Sequence, residues 1–241
     1  MILALLLALT GLLFPSPDDA SISRPFERRY SSATTLQATF LERYFENGRL
    51  VRANAGIAYF RRPGKMRWEY EFPEKNLFLV DGKSAWFYVP EDHTATRVPA
   101  KQSADWRTPL ALLAGEAKLS KVCSAIAAAK SERPEQQGNL VIFCALRGSQ
   151  NRRETVHELG AEPSVKSSSH QETVAFLECD PSTGELARVL VRQPAGVSLE
   201  FKFTKWQFNP PLPESLFHFS PAPGMAIVNG ELAFGENPAN P

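Results

Sequence analysis

In Met66-Arg67-Trp68-Glu69-Tyr70-Glu71-Phe72 every second residue is large and apolar and the residues between are charged. Successive side chains of a strand point to opposite faces, so this pattern predicts a strand with one aromatic face and one wet face. Outward from it, the period of two begins after Gly48. Asn76–Val80 and Ser84–Val89 are two short apolar runs about Asp81-Gly82, a dipeptide suited to a tight hairpin. Further strands are expected at Leu140–Leu146, Thr173–Glu178, Leu186–Arg192 and Leu199–Trp206, with Asp180-Pro181-Ser182-Thr183-Gly184 as turn chemistry between two of them. Phe26, Tyr30, Leu36, Phe40, Leu41 and Tyr44 fit an amphipathic helix from Ile22 to about Phe45, interrupted near Ser31-Ser32. Thr108-Pro109-Leu110-Ala111-Leu112-Leu113-Ala114-Gly115 reads as a short helix, with Thr108 as N-cap, Pro109 at the first position and Gly115 as the stop. The polar segment Arg147–Gln171 is expected to be a surface loop, and the chain from Gly235 a mobile tail. Short strands with a few helices give an α+β fold, built on a strongly curved antiparallel sheet whose hollow is partly filled by helices.

Composition narrows the function. The chain has 241 residues and a formal net charge of +1, which supplies no basic field for nucleic acid, and its 43% hydrophobic content excludes disorder. No metal-ligand spacing, P-loop, GxSxG or GxGxxG is present, so no catalytic residues, metal or cofactor are expected. Glu69 and Glu71 share a strand face with Arg67, a solvated surface rather than an acid/base pair. Ser167-Ser168-Ser169-His170 lies in a polar loop with no partner acid, which leaves an exported hydrolase using His170 or His218 as a remote alternative.

From Ile2 to Phe14 the chain is uncharged and apolar, and Pro15-Ser16-Pro17-Asp18-Asp19 follows. At about thirteen residues the run is too short to span roughly 30 Å of hydrocarbon, and residues 1–20 read as an export signal ahead of a single domain over 21–234. No Cys follows the apolar run, so no lipid anchor is expected. In an oxidising compartment Cys123 and Cys144, centred on Arg133-Pro134, are candidates for a bridge across a hairpin. A Cys144–Cys179 pair competes with it, and Ala125–Lys130 could equally be helical.

Arg61-Arg62-Pro63-Gly64-Lys65-Met66-Arg67-Trp68 resembles the signature strand of the periplasmic outer-membrane lipoprotein carrier family (LolA). The resemblance continues through Pro73, Leu79-Val80-Asp81-Gly82-Lys83, Trp86-Phe87-Tyr88-Val89-Pro90, the Thr108–Gly115 segment and Phe217-His218-Phe219-Ser220-Pro221-Ala222-Pro223-Gly224, covering roughly Leu36 to Ile227. It implies an unclosed half β-barrel with helices over its mouth. It also implies a monomeric, soluble periplasmic chaperone that takes acylated lipoproteins from an inner-membrane ABC-type transporter and hands them to an outer-membrane receptor. On that resemblance Arg62 falls on the arginine that latches the lid and Met66 on an exposed loop residue used in delivery. Trp68, Tyr70, Phe78, Trp86, Leu110 and Leu113 become candidates for lining the acyl-chain cavity. A related module of the same fold is the alternative: an outer-membrane receptor, a lipoprotein sensor or a carrier of another lipid. The receptor version would ordinarily carry its own lipidated Cys.

Overall fold

The computed structural model describes residues 19–100, 108–115, 118–147 and 172–230. Most of the expected export signal, most of the Arg147–Gln171 segment, the tail from Gly235, and His157 and His170 lie outside the described residues. Twelve strands form one sheet in the order β12-β6-β5-β4-β3-β2-β1-β11-β10-β9-β8-β7. The two longest of the first six, β1 (Thr35–Glu46) and β2 (Arg49–Arg61), are followed by β3 (Lys65–Phe72), β4 (Leu77–Val80), β5 (Ser84–Val89) and β6 (Thr94–Pro99). The second half comprises β7 (Cys123–Ala128), β8 (Leu140–Leu146), β9 (Val174–Cys179), β10 (Leu186–Arg192) and β11 (Val197–Phe208). All neighbours pair antiparallel except β12 (Ala226–Asn229), which adds in parallel to β6. Among the described residues four short α-helices accompany the sheet: α1 (Asp19–Ile22), α2 (Arg24–Ser31), α3 (Thr108–Ala114) and α4 (Leu119–Val122).

The helix expected from Ile22 to about Phe45 is a correction. Only α2 is helical, and β1 begins at Thr35. Leu36, Phe40 and Tyr44 recur every four residues, which is a helical repeat and also every second step of a strand's alternation. The strand forms because Thr35–Glu46 pairs along its length with β2 on one side and β11 on the other. Tertiary pairing overrides a local signal that is periodic both ways. The Ala125–Lys130 alternative resolves as strand over Cys123–Ala128.

Ring contacts show how strongly the sheet curls. Trp68 on β3 and Phe201 on β11 are separated by two intervening strands, so on a flat sheet they would stand about 14 Å apart at roughly 4.8 Å per strand. Their ring centroids lie 5.4 Å apart. The face bearing them is therefore the inside of an open half-barrel, and it holds the main core of Phe40, Phe60, Trp68, Phe78, Phe201 and Phe203.

The convex face is covered at both ends. A segment after β11 lays Phe219 on Trp86, with ring centroids 4.7 Å apart, over Leu79 and Ala95. The β7–β8 connection crosses the backs of β9 and β10, where Glu132 accepts from Arg188. There Arg188 also reaches Glu178 and Glu200, and Arg43 reaches Glu200. Cys123 and Cys144 form a disulfide between β7 and β8, while Cys179 is free and buried. Burial pushes the Cys179 thiol up to about 12.

Candidate functional site

Two of the helices roof the concave face. From α2, Phe26 and Tyr30 enter the core, and Tyr30 meets Trp206 edge-on at 5.4 Å. Five contacts hold this helix in place. The Leu186 N–H donates to the Tyr30 hydroxyl at 3.0 Å, and burial raises that hydroxyl's pKa far above its ordinary value. Arg29 pairs with Glu185 and covers the Phe208 ring. Gly184 lies so close to the start of α2 that a Cβ there would clash with the Pro25 carbonyl oxygen. Arg62 Nη1 donates to the Ser31 carbonyl, the C-terminal end of α2, at 2.9 Å.

The second roof element, α3, brings Leu110 and Leu113 into the same core. Its last carbonyl, on Ala114, accepts the Gly64 N–H at 2.8 Å. Thus one turn, Arg62 to Lys65 between β2 and β3, holds the C-terminal ends of both roof helices. Charge favours this arrangement, because a cation at a helix C-terminus meets the negative end of the peptide dipole. The Arg62 attachment is incomplete: Nε and Nη2 are buried without a partner among the described residues, and burial lowers the guanidinium pKa.

The sequence-derived candidates divide. Trp68, Tyr70, Phe78, Leu110 and Leu113 lie together in the concave core. Trp86 does not, which is a correction. Along β5, Ala85 and Phe87 face the concave core, so alternation sends Trp86 to the convex side against Phe219, with its indole N–H donating to Asp81. Met66 is also corrected in its setting. It lies on β3 rather than in an exposed loop and is 6% exposed within the concave core, because the turn ends at Lys65 and Met66 already pairs with Val80. The large exposed apolar residue of this strand is Phe72, at 63%. Sequence reading missed Tyr30 and the Gly184–Pro25 approach as lid contacts; their only signal is a Gly ending a turn and a Tyr on a basic helix.

Polar chemistry on the concave face is sparse. Gly56 on β2 stands between Phe40 on β1 and Tyr70 on β3. With no side chain there, Tyr70 crosses β2, meets the Phe40 ring at 5.2 Å and donates its hydroxyl to Glu42 at 2.9 Å. A Cβ at Gly56 would strike the Glu69 carbonyl oxygen, so only glycine permits this approach of β2 and β3. Among the described residues no group of three His, Cys, Asp or Glu side chains is arranged to hold a metal, and no helix is long and apolar enough to cross a membrane.

An open antiparallel half-barrel with an aromatic concave face under short helices defines the structural class. A crystal structure of an uncharacterized conserved protein from Thermus thermophilus has this fold, with a TM-score of 0.52 at 14% identity over 88% of this chain and 98% of that one. Residues 31–139 match the family model "Outer membrane lipoprotein carrier protein LolA". The outer-membrane lipoprotein carrier proteins of Nitrosomonas europaea and Nitrosospira multiformis are each 27% identical, the first over 94% of this chain and 98% of its own, the second over 90% and 93%. The chain is thus similar to outer-membrane lipoprotein carrier proteins over most of its length, and its residues 31–139 match that family's model.

Proposed function

We propose that the protein is a periplasmic carrier that shelters the acyl chains of lipoproteins against its concave face and moves them from the inner to the outer membrane without chemistry. Its partners on this reading are an inner-membrane ABC-type lipoprotein-releasing transporter, an outer-membrane receptor and the acylated lipoproteins themselves. One observation carries the proposal: the aromatic concave face is roofed by two short helices whose ends hang on the same turn, Arg62 to Lys65. Acyl chains expose several hundred Å² of hydrocarbon, and at about 25 cal/mol/Å² their shelter from water is worth of order ten kcal/mol. A carrier must also release, and a roof that recloses over Trp68, Phe78, Leu110 and Leu113 competes with cargo for the same apolar surface. In this scheme Arg62 is the latch of the empty form, and Met66 meets cargo from within the hollow rather than from an exposed loop.

Mass spectrometry of the protein purified from periplasm tests this. Co-purifying lipoproteins, enriched by Arg62→Leu, are expected. Recovery of free lipid or glycolipid alone would favour a carrier of another lipid, and a hydrolase activity lost on changing His170 or His218 would overturn the non-catalytic reading.

A further inference from the structure

Three glutamates are buried among the described residues, and one of them is treated differently. Glu178 and Glu200, on the convex face, are paired with Arg188, and Glu200 also with Arg43. Glu42, on the concave face and 4% exposed, has only neutral partners among the described residues, the Tyr70 hydroxyl at 2.9 Å and the Asn54 side-chain amide at 3.5 Å. Among the described residues no Lys, Arg or His forms an ion pair with it. Arg52, two residues from Asn54 on the same face of β2, instead turns its guanidinium over the Tyr44 ring at 5.7 Å and keeps a buried Nε without a partner. A buried carboxylate without a counter-charge is costly, and a fold that supplies arginines to its other buried glutamates does not lack the means to supply one here.

A second unsatisfied group lies beside it. Among the described residues the Trp68 indole N–H has no acceptor, although Trp68 is among the most deeply buried side chains of the concave core. Phe40 touches both rings, Trp68 at 4.7 Å and Tyr70 at 5.2 Å, so the unused donor and the carboxylate's tyrosine flank the same residue. Beyond Phe40 toward the start of β1 the face is wholly apolar, with Ala38, Leu36, Ala58 and Phe60. The concave surface therefore has an apolar end under α2 and α3 and a polar end built from Glu42, Tyr70 and Asn54.

We infer that this polar end is a headgroup subsite: Glu42 receives an ammonium group carried beside acyl chains, and Trp68 donates to an ester carbonyl of the same head, while the chains run toward Phe60, Leu110 and Leu113. The inference rests on the carrier reading and adds to it both a direction for the cargo and a preference for a free amine over an acylated one. Two molecules present this chemistry, a diacylated peptide with a free N-terminal amine and an ethanolamine phospholipid.

Binding of the whole protein to three ligands separates the outcomes: a dipalmitoyl-glyceryl-cysteinyl peptide, the same peptide N-acetylated, and dipalmitoyl phosphatidylethanolamine. The free-amine peptide is expected to bind about tenfold more tightly than its acetylated form, and Glu42→Gln, which can still accept from Tyr70, is expected to bring the two together. Tyr70→Phe, which removes only the hydroxyl, should narrow the gap without closing it. A stronger Glu42-dependent affinity for the phospholipid would support the subsite and assign it to that lipid. Equal affinities in the unmodified protein, or a preference that survives Glu42→Gln, would overturn the inference and leave the carrier reading standing. If none of the three binds, the carrier reading itself fails.

Discussion

Replacing Arg62 by leucine probes the balance between holding and releasing. In the closed form the guanidinium makes one charge-assisted bond, to the Ser31 carbonyl at 2.9 Å, and leaves Nε and Nη2 buried without partners among the described residues. Such a bond contributes about 3 kcal/mol at most, and each orphaned donor costs about 1 kcal/mol at least. Arg62 is only partly buried, and it acts at the negative end of α2, so the favourable ends of both ranges apply. The net is about 1 kcal/mol for closure, a factor of about five in an equilibrium constant. Titration with an environment-sensitive fluorescent fatty acid should therefore show Arg62→Leu binding about fivefold more tightly, with Arg62→Lys between the two. Affinity unchanged within a factor of two would show that the latch contributes nothing. Weaker binding would show that the orphaned donors outweigh the bond, so that Arg62 favours opening rather than closure.

Other expectations follow from the packing around the roof and on the convex face. Gly184→Ala drives a Cβ into the Pro25 carbonyl at a residue with φ of +74°. The left-handed conformation alone costs about 1–2 kcal/mol, so the melting temperature should fall and amide exchange in α2 should accelerate; unchanged exchange would contradict the approach of these segments. Arg188→Ala leaves Glu178 and Glu200 buried without that partner and should cost about 3–5 kcal/mol in denaturant unfolding; a loss below about 1 kcal/mol would show the network to be dispensable. Burial by itself would raise the Glu178 pKa, but the backbone N–H groups of Gln136 and Glu135, the Asn139 amide and Arg188 together hold it below the usual 4.5. Because the unfolded chain takes up that proton first, the stabilisation is present above about pH 4.5 and fades as pH falls through the folded value. Glu178→Gln should flatten this acid limb, and identical limbs would remove Glu178 as its source.

The fold was legible where local pattern and tertiary pairing agree. β3, β4, β5, β8, β10 and β11 follow from alternation and turn chemistry within a residue or two of their observed bounds. β1 was not legible, because Leu36, Phe40 and Tyr44 satisfy both periods and only the partners β2 and β11 decide between them. β12 has four exposed residues and no burial pattern, so nothing in its own composition announces a parallel edge strand. The concave site was half legible. Alternation shows that Trp68 and Tyr70 share a face, but which face of β5 turns inward depends on how the sheet curls, and that places Trp86 outside with Phe219. Glu42 was invisible for a related reason: within a segment read as helix it falls among Leu41, Arg43 and Tyr44 as one more surface charge, whereas in β1 it shares the buried face with Phe40.

Photo-crosslinking the protein to a diacylated peptide whose chains carry a terminal diazirine, with peptide mapping of the adducts, shows whether acyl chains lie against the concave face. Labelling of concave and roof residues, namely Phe60, Phe78, Leu110 and Leu113, is expected. Labelling confined to Trp86 and Phe219 on the convex face, or no labelling above that of a non-acylated peptide, would contradict that placement.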